Sequence, residues 1–408
     1  VRGKLTTVPG LRVTARTSSN QYRGTRKSPV EIGGELGVDY ILTGTIRWET
    51  GADGQRRVRV TPELVSTANG TTTWQQPFDE VMRDVFKVQS GIAEQVATAL
   101  GVRLGADVQQ TLAARPTRNI EAWQEFLLGE KETEAMVRTD GLSMGKGLPH
   151  YERAVALDSM FGLAWSRVAF VAAETFSSNA TEELARRAED AGRRALRLAG
   201  DEPQVRRAWS RYLRYVKKDY AASLAQLDTG LLRQPGNVDL MSAASQLNAI
   251  LARWDAAVDL AKRAYQLDPR NVNAVLTAAR VLHGVRRYAE ADEYVAKALA
   301  LSPGNIPAIF HRVTNFTSLG DLAAVKRTVA EGLQHADTNE LAAYFALYQE
   351  MMWVLDEPLL RRITQMTPAR FFNNRQQWAL KVGRTWLLLG DTARGRAYGD
   401  TSRVAVEG

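Results

Sequence analysis

The sequence predicts an α+β domain of mostly antiparallel strands, followed by an all-α superhelical solenoid. Before residue 85, short runs of alternating apolar and polar residues are separated by Gly- and Asn-rich turns, which is typical of antiparallel strands. After residue 117, a motif recurs every 34 residues, which is typical of stacked helix–turn–helix units. We therefore divide the 408 residues into a domain at 1–112 and a solenoid at 117–408.

The composition excludes several kinds of site. The chain has no cysteine, which excludes disulfides, thiolate metal sites and a cysteine nucleophile. A hydrophobic fraction of 45% and a charged fraction of 24% are typical of a folded globular protein. No run approaches the ~18–20 apolar residues of a membrane span, so we expect none in this segment. The net charge of +8 is spread thinly, and we expect no nucleic-acid partner.

The first residues predict that the α+β domain is incomplete at its start. Val1 to Val8 is typical of the last part of a helix, closed by the breakers Pro9-Gly10. Leu11 to Arg16 then alternates apolar and polar residues, which predicts a strand. Pro29 suits the first turn of a short helix, and Gly37 suits its end.

The rest of this domain is predicted to contain a hairpin, a short strand and a long helix. Residues 38–49 and 57–65 are rich in β-branched side chains, and turn residues at 51–54 join them into a hairpin. Asn69-Gly70 predicts a second tight turn into a strand at 71–74. Apolar residues at helical spacing from Val85 onward predict the helix.

A family resemblance covers about 100 residues of this domain. It depends on these segments, in order: 15–19, 32–44, 58–60, 63–65, Trp74, 84–89 and 92–93. They resemble the bacterial TolB-amino-terminal-like domain. That family precedes helical repeats in membrane-anchored Ser/Thr protein kinases, adenylate cyclases and CadC-type regulators. The resemblance implies a non-catalytic domain, located outside the cytoplasm and anchored by a segment not present here.

The repeat period identifies the solenoid. Pro235, Pro269 and Pro303 stand 34 residues apart, and Asp337 continues the series. A proline ends each second helix, because it cannot donate a backbone hydrogen bond and pushes the preceding residue out of helical geometry. Small residues such as Ala257 let the paired helices approach closely. The period is that of the tetratricopeptide repeat (TPR), and we count about six to seven units.

The sequence offers little evidence for catalysis. Gly141 to Gly147 resembles a phosphate-binding loop, but it has three residues between the first two glycines and a Gly after the Lys. We interpret it as a loop between helices. The four histidines, His150, His283, His311 and His335, fall at different places in their repeats and predict no zinc site. We expect no cofactor, no metal and no enzymatic activity.

Partner binding is assigned to the concave face of the solenoid. Most of the nine tryptophans are interpreted as packing between helices. By the TPR resemblance, the first helix of each repeat lines the concave face, where placement relative to the prolines predicts these residues: Tyr212, Tyr215, Gln246, Asn273, Arg280, Phe310 and Thr314. This set is mixed and weakly charged. It lacks the Lys/Asn/Arg group with which some TPR proteins hold a peptide carboxylate.

These observations predict a non-catalytic protein-interaction scaffold. By the family context, it is an accessory or sensory component of a membrane-associated complex, on the periplasmic or extracytoplasmic face. Its partners are then other proteins. An alternative is the regulatory portion of a membrane Ser/Thr kinase or cyclase whose catalytic domain lies outside this chain. A cytoplasmic transcription regulator is a third interpretation, and it requires an upstream DNA-binding domain.

Overall fold

The computed structural model describes residues 1–8, 10–14, 16–50, 56–81, 85–137, 147–371 and 373–407. Helices and a small sheet form the N-terminal domain. Its elements are α1 (Arg2–Leu5), α2 (Arg16–Ser19), α3 (Pro29–Leu36), β1 (Tyr40–Thr50), β2 (Arg56–Ser66), β3 (Thr72–Gln75), β4 (Phe78–Val81), α4 (Val85–Ala99) and α5 (Ala106–Ala113). The α+β class predicted from the sequence is therefore confirmed.

The sheet is antiparallel and centred on β2. Strand β1 pairs with the whole of β2, from Tyr40 opposite Ser66 to Thr50 opposite Arg56. On the other side of β2, β3 and β4 follow one another along the strand. Gly44 lies opposite Pro62, where a Cβ on residue 44 would come 2.5 Å from the Thr61 carbonyl oxygen. Only glycine fits there without a shift of the backbone.

Helix α3 shows how the local sequence sets its ends. The Glu31 N–H donates to Ser28 Oγ at 3.3 Å, and the Ser28 N–H donates to Glu31 Oε2 at 2.7 Å. This capping box satisfies two backbone donors at the N-terminus. Gly37 adopts the left-handed conformation, φ +64°, and ends the helix. The predicted helix is confirmed.

One predicted strand is wrong. Residues 11–14 form no regular element, residue 15 is outside the described residues, and α2 begins at Arg16. Leu11 and Val13 pack against the apolar cluster of α4, which accounts for the alternation. Because the apolar side chains are buried on one side, the alternation of apolar and polar residues does not require pairing to a neighbouring strand.

The solenoid follows from residue 120. Its helices are α6 (Ile120–Val137), α7 (Leu148–Leu157), α8 (Gly162–Ser178), α9 (Glu182–Ala199), α10 (Pro203–Tyr215), α11 (Tyr220–Arg233), α12 (Val238–Ile250), α13 (Trp254–Leu267), α14 (Val272–Gly284), α15 (Tyr288–Leu301), α16 (Ile306–Leu319), α17 (Leu322–Leu333), α18 (Thr338–Leu347), α19 (Glu357–Thr364), α20 (Arg375–Leu388) and α21 (Thr392–Glu407). Short 3₁₀ segments lie at Gln349–Val354 and Pro368–Phe371.

These helices form eight successive pairs within the described residues, each helix contacting its partner. The pair α18–α19 is interrupted by a 3₁₀ segment and lacks the proline spacing of the central repeats, which is why the sequence count is lower. The glycine-rich motif at 141–147 lies almost wholly outside the described residues, which resume at Gly147.

The 34-residue period has a direct physical basis in helix capping. Asn237, Asn271 and Asn305 each precede a first helix, and each side chain accepts a hydrogen bond from the backbone N–H three residues later. Pro269 stands two residues after the end of α13. The array therefore repeats its start and stop signals along with its apolar core.

Among the described residues, two regions of the N-terminal domain pack on the solenoid. At one, Phe86 of α4 meets Trp123 of α6 edge to face, with ring centroids 5.1 Å apart. At the other, the buried Ser18 donates to Asp268 Oδ1 at 2.5 Å, in the turn before α14. Arg270 lies over the Tyr22 ring at 5.1 Å. The domain thus bridges repeats that are far apart in the chain.

Candidate functional site

The first helices of successive repeats form one continuous wall. Helices α8, α10, α12, α14, α16 and α18 each contact the next one in the series. The second helix of each pair packs behind this wall. We call the exposed surface of these first helices the inner wall. It is the surface that the sequence analysis assigns to partner binding.

Arginines dominate the inner wall near its beginning. Arg207 and Arg211 stand one turn apart on α10, with guanidinium carbons 5.1 and 5.0 Å from the ring centre of Phe170. Arg211 Nη1 donates to Glu174 Oε2 at 2.5 Å. Arg207 Nη1 lies 3.7 Å from Asp239 Oδ2. These guanidinium groups pack on an aromatic face while keeping carboxylate neighbours.

A polar chain continues across three repeats. Arg214 Nη1 donates to Gln246 Oε1 at 3.2 Å, and Gln246 Nε2 donates to Thr277 Oγ1 at 3.4 Å. Arg280 Nη2 donates to the same Thr277 oxygen at 3.3 Å. The Arg214 guanidinium also lies 4.9 Å from the Tyr215 ring centre. The structure therefore brings together three of the predicted residues, Tyr215, Gln246 and Arg280.

Arg214 and Arg280 carry positive charge that the described part of the chain does not pair with a carboxylate. Removal of water lowers the pKa of Arg214, and the charge of Arg211 adds to this shift. The pKa of Arg280 is lowered for the same reason, with Arg214 as the repelling neighbour. Arg280 keeps an exposed surface. Both groups remain charged at neutral pH.

A cavity of about 190 Å³ opens between α14 and α16, beside Arg280. His283 Nδ1 lies 3.1 Å from Asn315 Oδ1, and Asn315 Nδ2 donates to the Tyr288 carbonyl at 2.6 Å. These bonds hold one side of the cavity. Its other walls are formed by Ala279, Ala291, Val295, Phe310, His311 and Thr314.

His311 stays neutral in this cavity. Burial lowers its pKa to about 3, and the charges of Arg280 and His283 add to the shift. The unfolded chain, with an ordinary histidine pKa near 6.5, takes up a proton between pH 6.5 and 3 that the folded state does not. Stability is therefore lost through this residue as the pH falls from about 6.5 toward 3.

We expect His311→Gln to weaken the acid sensitivity of the solenoid. Urea midpoints at pH 7.5 and pH 5.0 measure the loss, and the variant should lose less stability than the native chain between these values. His335→Gln, at an exposed position, serves as the control. An unchanged pH dependence in His311→Gln, or an equal change in both variants, contradicts this account.

The predicted residues do not all lie on an accessible surface. Tyr212 is 1% exposed, stacks on Trp209 at 4.6 Å and donates to Glu189 Oε2 at 2.5 Å, so it is a packing residue. Phe310 is also buried and forms the base of the cavity. Thr314 is half-buried in the cavity wall. Asn273 is exposed one turn before Thr277.

The inner wall carries more charge than the predicted set, in which Arg280 is the one charged residue. Arg207, Arg211 and Arg214 were missed because placement relative to the prolines selected Tyr212 and Tyr215 on the same helix. Their spacing of four and three residues puts them on one face of α10, a signal that the sequence does contain. The carboxylates that meet them come from other repeats, and that signal exists only in the fold.

Within the described ranges, no group of three potential metal ligands lies close enough together to hold an ion. Among the same residues, no helix combines the length and apolar character needed to cross a membrane.

Comparison with known proteins gives limited similarity. No protein-family profile matches the chain. A putative adenylate cyclase 3 of Rhizobium meliloti is 26% identical over 203 residues, which is 49% of this chain and 33% of the cyclase. The chain therefore spans about a third of the length of that relative.

Several solved structures are similar to this chain at low sequence identity. PilW, a type IV pilus biogenesis factor, is 18% identical, with a TM-score of 0.41 over 56% of this chain and 99% of that protein. A human IFIT1 dimer with m7Gppp-AAAA is 12% identical, with a TM-score of 0.49 over 78% of this chain and 77% of that protein. YrrB, a TPR protein, is 16% identical, with a TM-score of 0.31 over 45% of this chain and 91% of that protein.

Proposed function

We propose that this chain is a non-catalytic scaffold that binds a partner protein along the inner wall of its TPR solenoid. The observation that supports it most is the polar chain from Arg214 through Gln246 to Arg280, which crosses three repeats and presents the Arg214 guanidinium beside the Tyr215 ring. Arginine and tyrosine are the residue types that contribute most to protein interfaces.

Site-specific crosslinking in the native host tests this proposal. A photoreactive phenylalanine analogue replaces Tyr215 on the inner wall or, as the control, Leu232 on α11, which is 85% exposed. We expect a discrete crosslinked partner from position 215 and not from position 232. Adding Arg214→Glu to the Tyr215 variant should reduce the adduct about tenfold. Equal crosslinking from both positions, or none from 215, overturns the proposal.

We further propose that the partner belongs to a membrane-associated complex outside the cytoplasm. The support is the resemblance of residues 15–93 to the TolB-amino-terminal-like domain, whose members occur in membrane-anchored proteins. The crosslinked adduct from position 215 should then sediment with membranes. An adduct found only in the soluble fraction contradicts this part of the proposal.

A second candidate function is the regulatory portion of a cyclase. The match to a putative adenylate cyclase over 203 residues favours it over the kinase version. The full gene product that contains this chain should then form cyclic AMP from ATP. If the intact product shows no such activity, this candidate is excluded, and the scaffold proposal stands unchanged.

A further inference from the structure

The inner wall has an excess of positive charge on α8, α10 and α14. Five arginines of the first helices lie on this surface: Arg167, Arg207, Arg211, Arg214 and Arg280. Three carboxylates lie against the first three of them: Glu130, Asp239 and Glu174. The two arginines that remain donate to neutral side chains, Gln246 and Thr277. A partner with a negative charge at this place would recover electrostatic energy that the free chain lacks.

The cavity beside Arg280 has the size and lining for one acidic side chain. Its volume of about 190 Å³ far exceeds the ~10–15 Å³ that a single water molecule requires. Phe310 and Val295 supply apolar contact for methylene groups. Arg280 and His311 line the same space. A carboxylate placed there meets a guanidinium with free donor positions.

We propose that this cavity is a subsite for an Asp or Glu side chain of the partner segment bound along the inner wall. This inference rests on the proposed function, and it names the chemistry of the partner at one position. Arg280 pairs with the carboxylate, Thr314 and His311 border it, and Phe310 packs against its methylene groups. Arg214, on α10, is separated from Arg280 by α12 along the wall, and it attracts further acidic residues of the same segment.

The distribution of charge favours a protein segment over a nucleic acid. Glu174 and Asp239 are interleaved with the arginines of α10, so a continuous phosphate backbone would meet negative groups along the wall. Nucleic-acid sites usually present a denser and less interrupted set of basic residues. One acidic side chain in a peptide of mixed composition requires favourable charge at only one position on the wall.

The probe for this test is a fluorescein-labelled hexaglutamate peptide with an amidated C-terminus, compared with hexaglutamine by fluorescence anisotropy at low salt. We expect hexaglutamate to bind the full chain at least tenfold more tightly. Arg280→Glu should reduce hexaglutamate affinity about tenfold or more. Arg327→Glu, an exposed arginine on the outer helix α17, makes the same charge change and should reduce it less than twofold.

A second variant separates the cavity from the overall charge. Thr314→Tyr fills part of the cavity with a larger side chain and leaves the net charge unchanged. It should reduce the preference for glutamate over glutamine at least fivefold. Circular dichroism of each variant checks that the fold is retained. The subsite is disproved if Arg280→Glu and Arg327→Glu lose the same amount of hexaglutamate affinity. It is also disproved if Thr314→Tyr keeps the full preference for hexaglutamate over hexaglutamine.

Two further outcomes distinguish this inference from other possibilities. Binding of a labelled hexauridylate as tight as that of hexaglutamate, with the same loss in Arg280→Glu, would show a nucleic-acid surface and overturn the inference. Crosslinking from position 215 without any preference for glutamate would refute the acidic subsite and leave the scaffold proposal intact. If there is neither a crosslink from position 215 nor a preference for glutamate, both the acidic subsite and the scaffold proposal are refuted.

Discussion

Replacing Phe345 by alanine is expected to destabilise the C-terminal repeats by about 3–5 kcal/mol. Phe345 is fully buried in α18 and packs edge to face on Phe310, with ring centroids 5.2 Å apart. It belongs to the cluster that joins α16, the 3₁₀ segment and α19. Removing the ring loses the favourable free energy of burying it, and it leaves a cavity that the neighbouring helices fill only in part.

Urea unfolding followed by circular dichroism, with hydrogen exchange to locate the loss, measures this effect. Because each repeat contacts mainly its neighbours, amides of α16 to α19 should lose protection before those of α8 to α11. Phe345→Leu should cost less than half as much. Leu322→Ala, at a position 52% exposed, should change stability by less than about 0.5 kcal/mol. Equal losses in the two alanine variants would contradict the assignment of Phe345 to the core.

Replacing Glu130 by alanine is expected to cost about 2–3 kcal/mol near the beginning of the solenoid. Glu130 Oε2 accepts from Arg167 Nη2 at 2.6 Å, and its Oε1 accepts from the Tyr151 hydroxyl at 2.8 Å. Burial opposes the charge of Arg167, but Glu130 keeps the pKa of that guanidinium above its usual value. Without the carboxylate, a largely enclosed cation and a buried phenol lose their common partner.

A double-mutant cycle with Arg167→Met separates the coupling free energy of the Glu130–Arg167 pair from the cost of truncating each residue alone. We expect the coupling to be favourable by at least about 1 kcal/mol, and Glu130→Gln to retain part of it. The matched control is Asp259→Ala, which removes an exposed i,i+4 partner of Arg263 at 3.6 Å. That change should cost less than about 0.5 kcal/mol. A coupling no larger than the control would show that the Glu130 pair does not stabilise the fold.

The candidate site was only partly predictable from the sequence. Tyr215, Gln246 and Arg280 follow from their place relative to the prolines of each repeat, because the period fixes which helix face is turned inward. Tyr212 is wrong, since a shift of three residues along α10 turns its ring toward Trp209 and the core. His311 gave no sequence signal, because its environment is formed by α14 and α16 together.

The fold, like the candidate site, was only partly predictable from the sequence. Pro29 and Gly37 act on the backbone geometry of their own helix, so the sequence shows where that helix begins and ends. Strand β4 was not anticipated, because four residues without strong alternation form a strand only when β2 offers its free edge. The strand predicted at Leu11 to Arg16 is wrong for the opposite reason, because Leu11 and Val13 satisfy the alternation by packing alone.

The α+β class and the 34-residue repeat follow from the amino-acid sequence alone, because they depend on short-range steric and hydrogen-bonding preferences. Only the tertiary structure decided where charge remains uncompensated. Arg207 and Arg211 meet Asp239 and Glu174 from other repeats, whereas Arg214 and Arg280 meet neutral Gln246 and Thr277. Coulomb energies depend on distances of a few ångströms between residues that are tens of positions apart, and folding alone sets those distances.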